Sequence, residues 1–361
     1  MIHIILGTRA QLIKMMPVMK ELQNRKMEYN FIFLAEHKET ISSILKEFHI
    51  KSPDIIIGDL NKDITNIITM ISWSLSVLVY TIINKKKIFK NNRKGIVLVH
   101  GDAPPCLLGA LMAKVANLKV GHIESGLRSF NLFNPFPEEV VRILTFNLCD
   151  YFFCPNKWAI MNLKKYKGLK INTNGNTLLD SLRLALKENN EIYIKIPKTK
   201  YCIVSIHRFE NIFNRERLEN IIRIIENIAK QIKILFVLHP PTKKNLEKFN
   251  FLSRLDKNNN IELRPRYSYF NFIKLLYEAE FIVTDGGSNQ EESYYLGKPC
   301  LVMRKTTERK EGLDKNVVIS KYDKKIIEDF INNYQEYKSN SLNFNISPSK
   351  IIVDYLEKLR I

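Results

Sequence analysis

The chain has 361 residues, 45% hydrophobic and 26% charged, which is enough for sizeable cores and suits two globular domains better than one. Its 56 basic against 37 acidic residues give a net charge of +19; Lys, Ile and Asn dominate throughout and no nucleic-acid-binding signature appears, so most of the charge reads as solvated surface. The opening "MIHIILGTRA" lacks the regions of a signal peptide, and the five cysteines show no CxxC pair, so export, a disulfide framework and a structural zinc site are all unexpected.

Short apolar runs alternate with longer amphipathic ones along the whole chain. "MIHIIL", "YNFIFLA", "GIVLVHGD", "KVGHIES" and "DYFFCP" read as strands in the first half. "YCIVSIH", "KILFVLHP", "NIELRP", "EFIVTDG" and "KPCLVMR" do so in the second. Strands separated by helices imply βαβ units, parallel sheets and two doubly wound α/β domains, with a break near "NTNGNTLLDS" at 172–181. Residues 67–83, "IITMISWSLSVLVYTII", precede the basic run "NKKKIFKNNRK". Seventeen residues broken by Thr and Ser are short for a bilayer, so a buried helix is expected; the alternative is a surface helix held to anionic lipid by its lysines.

Ligands of open parallel sheets sit beyond the C-terminal strand ends, so the residues that finish strands carry the functional signal. The first of these is the "GTRAQLIK" loop, whose single glycine fails the dinucleotide pattern; Arg9 and Lys14 there could reach a pyrophosphate or be plain surface charge. Asp102 and Glu124 end two later strands. In "PFPEEVVR", Pro137 suits the first position of a helix, with Glu138 and Glu139 in its first turn and Glu138 four residues from Arg142. A surface ion pair is the plainer reading of that spacing, but the neighbouring Asp102 and Glu124 could converge with it. Carboxylates sharing a crevice separate in pKa and can divide acid and base roles.

In the second half His207 and Arg208 finish one strand and His239 another, where they would face the acidic cluster. "TDGGSNQEES" follows a further strand. Gly286 and Gly287 would let backbone N–H groups approach an anion at a helix N-terminus, with Ser288 alongside. Glu291 and Glu292 would fall in the first turn, where one could accept ribose hydroxyls or simply balance the helix dipole.

These motifs together resemble the UDP-N-acetylglucosamine 2-epimerase family. The resemblance rests on "GTRAQLIKMMP", "HGD", "GHIESGLRS", "PFPEEVVR", "NGNTLLD", "HRFEN" and "QEESYYLGKPCLVMRKTTER", which occur in this order along nearly the whole chain. It implies the GT-B architecture: an N-terminal Rossmann-like domain over 1–172 with the catalytic carboxylates, a UDP-binding one over 173–345, a ligand cleft between them, and a final helix over 346–361 packing back on the first. It implies epimerisation at C2 of a UDP-N-acetylhexosamine through elimination of UDP and its re-addition, with neither NAD nor metal. Asp102, Glu124 and Glu138 match the family's acid/base carboxylates, and Arg142 and His207 its supporting catalytic positions. Arg9 and Lys14 match the nucleotide loop, Glu292 the ribose-binding glutamate, and Arg208, His239, Gly286, Gly287, Ser288 and Arg309 complete the expected UDP-sugar contacts. A cytoplasmic homodimer serving bacterial surface polysaccharide synthesis is expected, without nucleic acid and without stable membrane insertion. A hydrolysing epimerase and a UDP-sugar glycosyltransferase are the alternatives.

The chain departs from the family pattern at three places. The family's Asp-Ser-Gly-Gly is here Asp285-Gly286-Gly287-Ser288; Ala35 and Glu36 replace Gly and Gln in the Thr-Gly-Gln-His segment; and Ala103-Pro104-Pro105 replace small hydroxyl residues after Asp102. The second change leads to the expectation that no activating second UDP-N-acetylglucosamine site is present.

Overall fold

The computed structural model describes residues 1–35, 41–58, 67–132, 136–187, 194–342 and 345–359. Glu36, on which the expectation about a second site rests, lies outside them. Two compact units divide the chain: Met1–Leu184 with Asn345–Ile361, and Ala185–Phe344.

The first unit is built on seven strands, β1 Ile2–Leu6, β2 Tyr29–Leu34, β3 Ile55–Ile57, β4 Ile96–His100, β5 Lys119–Ile123, β6 Tyr151–Cys154 and β7 Leu169–Asn172. All neighbours are parallel, in the order β3-β2-β1-β4-β5-β6-β7. The strands are near-continuous runs of Ile, Val, Leu and Phe because both faces are covered by helices. Val97, Val99 and Val120 of the sheet share one core with Cys106 and Met112 of the helix Pro104–Val115 and with Phe146 of the helix Glu138–Leu148. The last helix, Pro348–Lys358, packs on the first, Arg9–Asn24, where Arg25 just beyond it pairs with Asp354 at 2.6 Å.

The second unit repeats the plan with β8 Tyr201–Ser205, β9 Lys233–Leu238, β10 Ile261–Pro265, β11 Ile282–Thr284, β12 Cys300–Val302 and β13 Val317–Ile319, again parallel, in the order β10-β9-β8-β11-β12-β13. Its core joins Val204, Phe236, Val283 and Leu301 to Ile221, Ile222 and Ile225 of the helix Arg215–Ile228. Two Rossmann-like doubly wound units give the α/β fold of GT-B type. All ten strands read from the sequence are present; β3, β7 and β13 are additional.

The reading of 67–83 as a buried helix is corrected. A helix does form, Ile67–Ile88, but of its side chains that are described only Val77, Thr81 and Ile88, on one side, are fully buried, with Trp73 and Leu78 packed partly against the core. On the opposite side Ile71, Leu75, Val79, Ile82 and Ile83 are 52%, 58%, 56%, 57% and 75% exposed. The segment is apolar all round, while the unit offers it a single face to pack on. No helix among the described residues is long and apolar enough to cross a membrane.

Candidate functional site

In both sheets the strand order reverses beside the first strand, between β1 and β4 and between β8 and β11, and loops leaving such neighbours part to opposite sides and open a crevice. In the first unit the loop after β1 is fixed from within. Thr8 caps the helix Arg9–Asn24 in a reciprocal capping box with Gln11. The Gln11 carbonyl accepts from the N–H groups of Gly7 and Thr8 at 2.9 and 3.1 Å, while its amide donates to the His100 carbonyl at 2.8 Å. One side chain thus joins the ends of β1 and β4. Gly7 is required there, because a Cβ would lie 2.5 Å from Pro105 and 2.8 Å from the Leu34 carbonyl.

Three carboxylates, Asp102, Glu124 and Glu139, stand beyond β4 and β5 with their cationic partners, and Glu138 adjoins the third in the chain. Glu124, directly after β5, has φ +63°, a left-handed conformation that costs a non-glycine residue on the order of 1 kcal/mol and is held only by its surroundings. Lys14 donates to both its oxygens at 2.8 and 2.7 Å, and the pair is buried. Nε2 of His100 lies 3.3 Å from the same carboxylate. Burial outweighs the pull of Glu124 and holds the His100 imidazole down to about 3, so it is neutral at pH 7. His122, likewise buried and lowered to about 4, sits against the Gly101 carbonyl at 2.7 Å and the Ser125 hydroxyl at 3.0 Å.

Asp102 is the more open acid, its side chain 34% exposed, and it receives Nη2 of Arg142. The other prong of Arg142, Nη1, goes to Glu139 at 3.0 Å. Of the two glutamates the arginine takes Glu139 at i, i+3, where the plainer reading of the spacing had a Glu138–Arg142 surface pair, and Glu138 is half-buried beside it at the helix start. Pro137 precedes the helix as its N-cap instead of occupying its first position. Glu139 was missed as a site residue because two adjacent glutamates look alike in a sequence, and only the turn of the helix decides which faces inward.

In the second unit Asp285, after β11, is fully buried and accepts from the N–H groups of His207 and Arg208 at 3.0 and 2.9 Å and from the Asn211 amide at 2.8 Å. It thereby fixes the turn after β8. The His207 ring stacks on His239 with centroids 4.4 Å apart, and its Nδ1 is 3.3 Å from Asp285. Burial lowers the His207 pKa against the opposing influence of Asp285.

The helix Gly287–Leu296 begins at this point with Gly286 as N-cap and no side-chain cap, so its first N–H groups face outward at the positive end of the dipole. Ser288 is its second residue; the family's serine would stand at the N-cap itself. The double glycine has a packing reason. A Cβ on Gly286 would lie 2.8 Å from the His207 ring, and one on Gly287 would lie 2.5 Å from Nε of Arg309. Glu291 and Glu292 are not in the first turn, which corrects the expectation and removes dipole compensation as their explanation. Glu291 binds Arg309, and Glu292 accepts from the Asn289 amide at 2.9 Å.

The first unit thus brings Lys14 to Glu124 and Arg142 to Asp102, with Glu138 at the start of the helix that carries Arg142 and Arg9 at the start of the helix that carries Lys14. The second gathers His207, Arg208, His239, Gly286, Gly287, Ser288, Glu292 and Arg309 around one helix start. Among the described residues no cluster of three or more His, Cys, Asp or Glu is arranged to hold a metal, and all five cysteines are buried thiols outside any disulfide.

A family model described as UDP-N-acetylglucosamine 2-epimerase matches residues 20–346. The chain belongs to the UDP-N-acetylglucosamine 2-epimerase family. It is 37% identical to a UDP-N-acetylglucosamine 2-epimerase of Methanococcus maripaludis, over 87% of this chain and 86% of the relative. To that of Neisseria meningitidis it is 32% identical over 99% of both chains. Among solved structures it resembles the S. aureus MnaA-UDP co-structure, with TM-score 0.84, 28% identity and 99% and 96% of the two chains covered. The Neisseria meningitidis UDP-GlcNAc 2-epimerase bound to UDP-GlcNAc gives TM-score 0.82, 30% identity and 99% coverage of both chains. A plant UDP-glucosyltransferase shares the fold alone, at TM-score 0.58 and 12% identity.

Proposed function

We propose that this family member interconverts the C2 epimers of a UDP-N-acetylhexosamine, UDP-GlcNAc and UDP-ManNAc or a related pair, without net hydrolysis. A carboxylate takes the proton from sugar C2, the C1–O bond to UDP breaks, and a C1=C2 double bond forms. UDP then re-adds to C1 while a proton is delivered to C2 from the opposite face. The sequence is redox-neutral and needs no hydride acceptor.

Asp102, Glu124 and Glu138 are assigned the proton work, with Arg142 and His207 as supporting catalytic residues. Arg9, Lys14, Arg208, His239, Arg309 and the helix start at Gly286–Ser288 are assigned to the UDP moiety, and Glu292 to its ribose. The observation that carries this reading is the convergence of Asp102 and Glu124, with their cationic partners, at adjacent strand ends of one sheet. Dividing the chain into a carboxylate domain over 1–172 and a UDP domain over 173–345 belongs to the same proposal.

Purified protein incubated with UDP-N-acetylglucosamine in deuterated water tests the reading. Deuterium at C2 together with UDP-ManNAc is the expected result. Release of free UDP and ManNAc would replace it by the hydrolysing reaction, and sugar transfer only to an added acceptor by the glycosyltransferase.

The homodimer belongs to the same proposal, with the open apolar face of the helix Ile67–Ile88 meeting its copy. Leu75→Ser with Val79→Ser should then give a monomer in light scattering; a wild-type mass would place the contact elsewhere. A cytoplasmic role in supplying surface polysaccharide precursors completes the proposal.

A further inference from the structure

Of the three carboxylates beyond β4 and β5, Glu139 is fully buried. It is also the one whose partners bind two separate pieces of chain together. Its Oε1 accepts from Nε of Arg128 and from the Phe130 N–H at 3.3 Å, and its Oε2 accepts from the Ser129 N–H and from Nη1 of Arg142, both at 3.0 Å. Arg142 is itself 2% exposed. The guanidinium is a rigid plane, so seating Nη1 on Glu139 sets where Nη2 points, and Nη2 meets Asp102. Glu139 also holds the start of the segment that leaves Glu124, through the two backbone N–H groups of Ser129 and Phe130. Burial pushes this carboxyl up, but the Ser129 N–H and the two arginines outweigh burial and keep it below the usual carboxylate range, so it is anionic at neutral pH.

We infer that Glu139 is a positioning residue for the epimerisation: it orients Arg142, and through Arg142 it fixes the Asp102 carboxylate on which proton transfer depends. No solvent reaches Glu139, so it does not itself exchange a proton with substrate. The inference rests on the assignment of Asp102 and Arg142 to the reaction, and the test separates the two.

The test is a double-mutant cycle of Glu139→Gln and Arg142→Ala, with C2 deuterium exchange giving kcat and KM, calorimetry giving UDP affinity, and near-UV circular dichroism checking the fold. Misplacing a group by about 1 Å costs on the order of 10²-fold in rate. Glu139→Gln is therefore expected to lower kcat about 10- to 100-fold, with KM and UDP affinity within about threefold of wild type. A residue that acts through Arg142 adds nothing once Arg142 is gone, so the double variant should be no slower than Arg142→Ala alone. A merely structural role would instead multiply the two losses. Should Glu139→Gln not fold, the same cycle with Glu139→Asp, which keeps the charge on a shorter stem, decides on the same criterion. Wild-type kcat in the Glu139 variant, or multiplying losses, with a slow Arg142→Ala would overturn this inference alone. Wild-type exchange in Arg142→Ala would overturn the site assignment and this inference with it.

Discussion

Both units wind their strands in the same order around the same kind of switch, and each places a carboxylate just after the strand that faces its first one. Asp102 follows β4 and Asp285 follows β11, yet the two acids have opposite surroundings. Asp285 is sealed and its oxygens are taken up by the N–H groups of His207 and Arg208 and by Asn211. Asp102 stays a third exposed and meets a cation that is itself anchored from behind. A shared topology therefore fixes where an acid stands, while its neighbours decide whether it braces a loop or remains reachable by a ligand.

The sharpest way to break this contrast is to neutralise both acids. Asp102→Asn should bind UDP like wild type and lose on the order of 10²–10⁴ in turnover, with C2 exchange falling in parallel. Asp285→Asn should instead lose thermal stability and UDP affinity while C2 exchange at saturating substrate stays within about tenfold. Equal kinetic losses in the two variants would erase the distinction.

Next in size is the buried Lys14–Glu124 pair, which joins residues far apart in the chain where the second unit's buried Arg309–Glu291 pair joins near neighbours. Lys14→Met leaves an uncompensated buried charge and should cost about 3–5 kcal/mol in denaturant unfolding. Adding Glu124→Gln should restore most of that stability without restoring turnover. A double variant as unstable as the single would contradict the pairing.

Acid should also act unequally on the two units. His3, His100 and His122 of the first unit are lowered by burial to about 4, 3 and 4. Each takes up a proton near pH 6.5 when unfolded but not when folded, so the unfolded state binds more protons and stability falls as pH drops below about 6.5 toward 4. The slope is about 1.4 kcal/mol per pH unit for each histidine. In the second unit His207 is lowered as well, against three such histidines in the first, so hydrogen exchange at pH 5 should loosen the first unit before the second; simultaneous loosening would refute the difference.

The smallest effect concerns the double glycine. Gly287→Ala must displace the Arg309 side chain, which is flexible, so about 1 kcal/mol or less of stability should be lost while the KM for the UDP-sugar rises several-fold. An unchanged KM would separate Arg309 from the nucleotide.

The sequence was most legible where burial is complete. Nine of the ten strands it shows lie inside the sheets and are buried along almost their whole length, β10 being the one at an edge, while the three it hid, β3, β7 and β13, are three- or four-residue edge strands with half-solvated patterns. Strand-end residues such as Asp102, Glu124 and His207 were visible because their position follows from the strand before them. Their partners were not. Lys14 and Glu124 are 110 residues apart, and no local spacing connects them. The choice between Glu138 and Glu139 needed the angle at which a helix begins, and the open face of the helix Ile67–Ile88 needed to know how much core was available to cover it.

The return of the last helix to the first unit gives the two halves different histories during synthesis. Residues Ala185–Phe344 form one uninterrupted stretch, whereas the first unit is completed only by Asn345–Ile361. Because domains fold as units as the chain emerges, the second can close around its own core while the first still lacks the helix that covers Tyr151 and Phe153 with Tyr355. On the ribosome, the half that begins first is the half that finishes last.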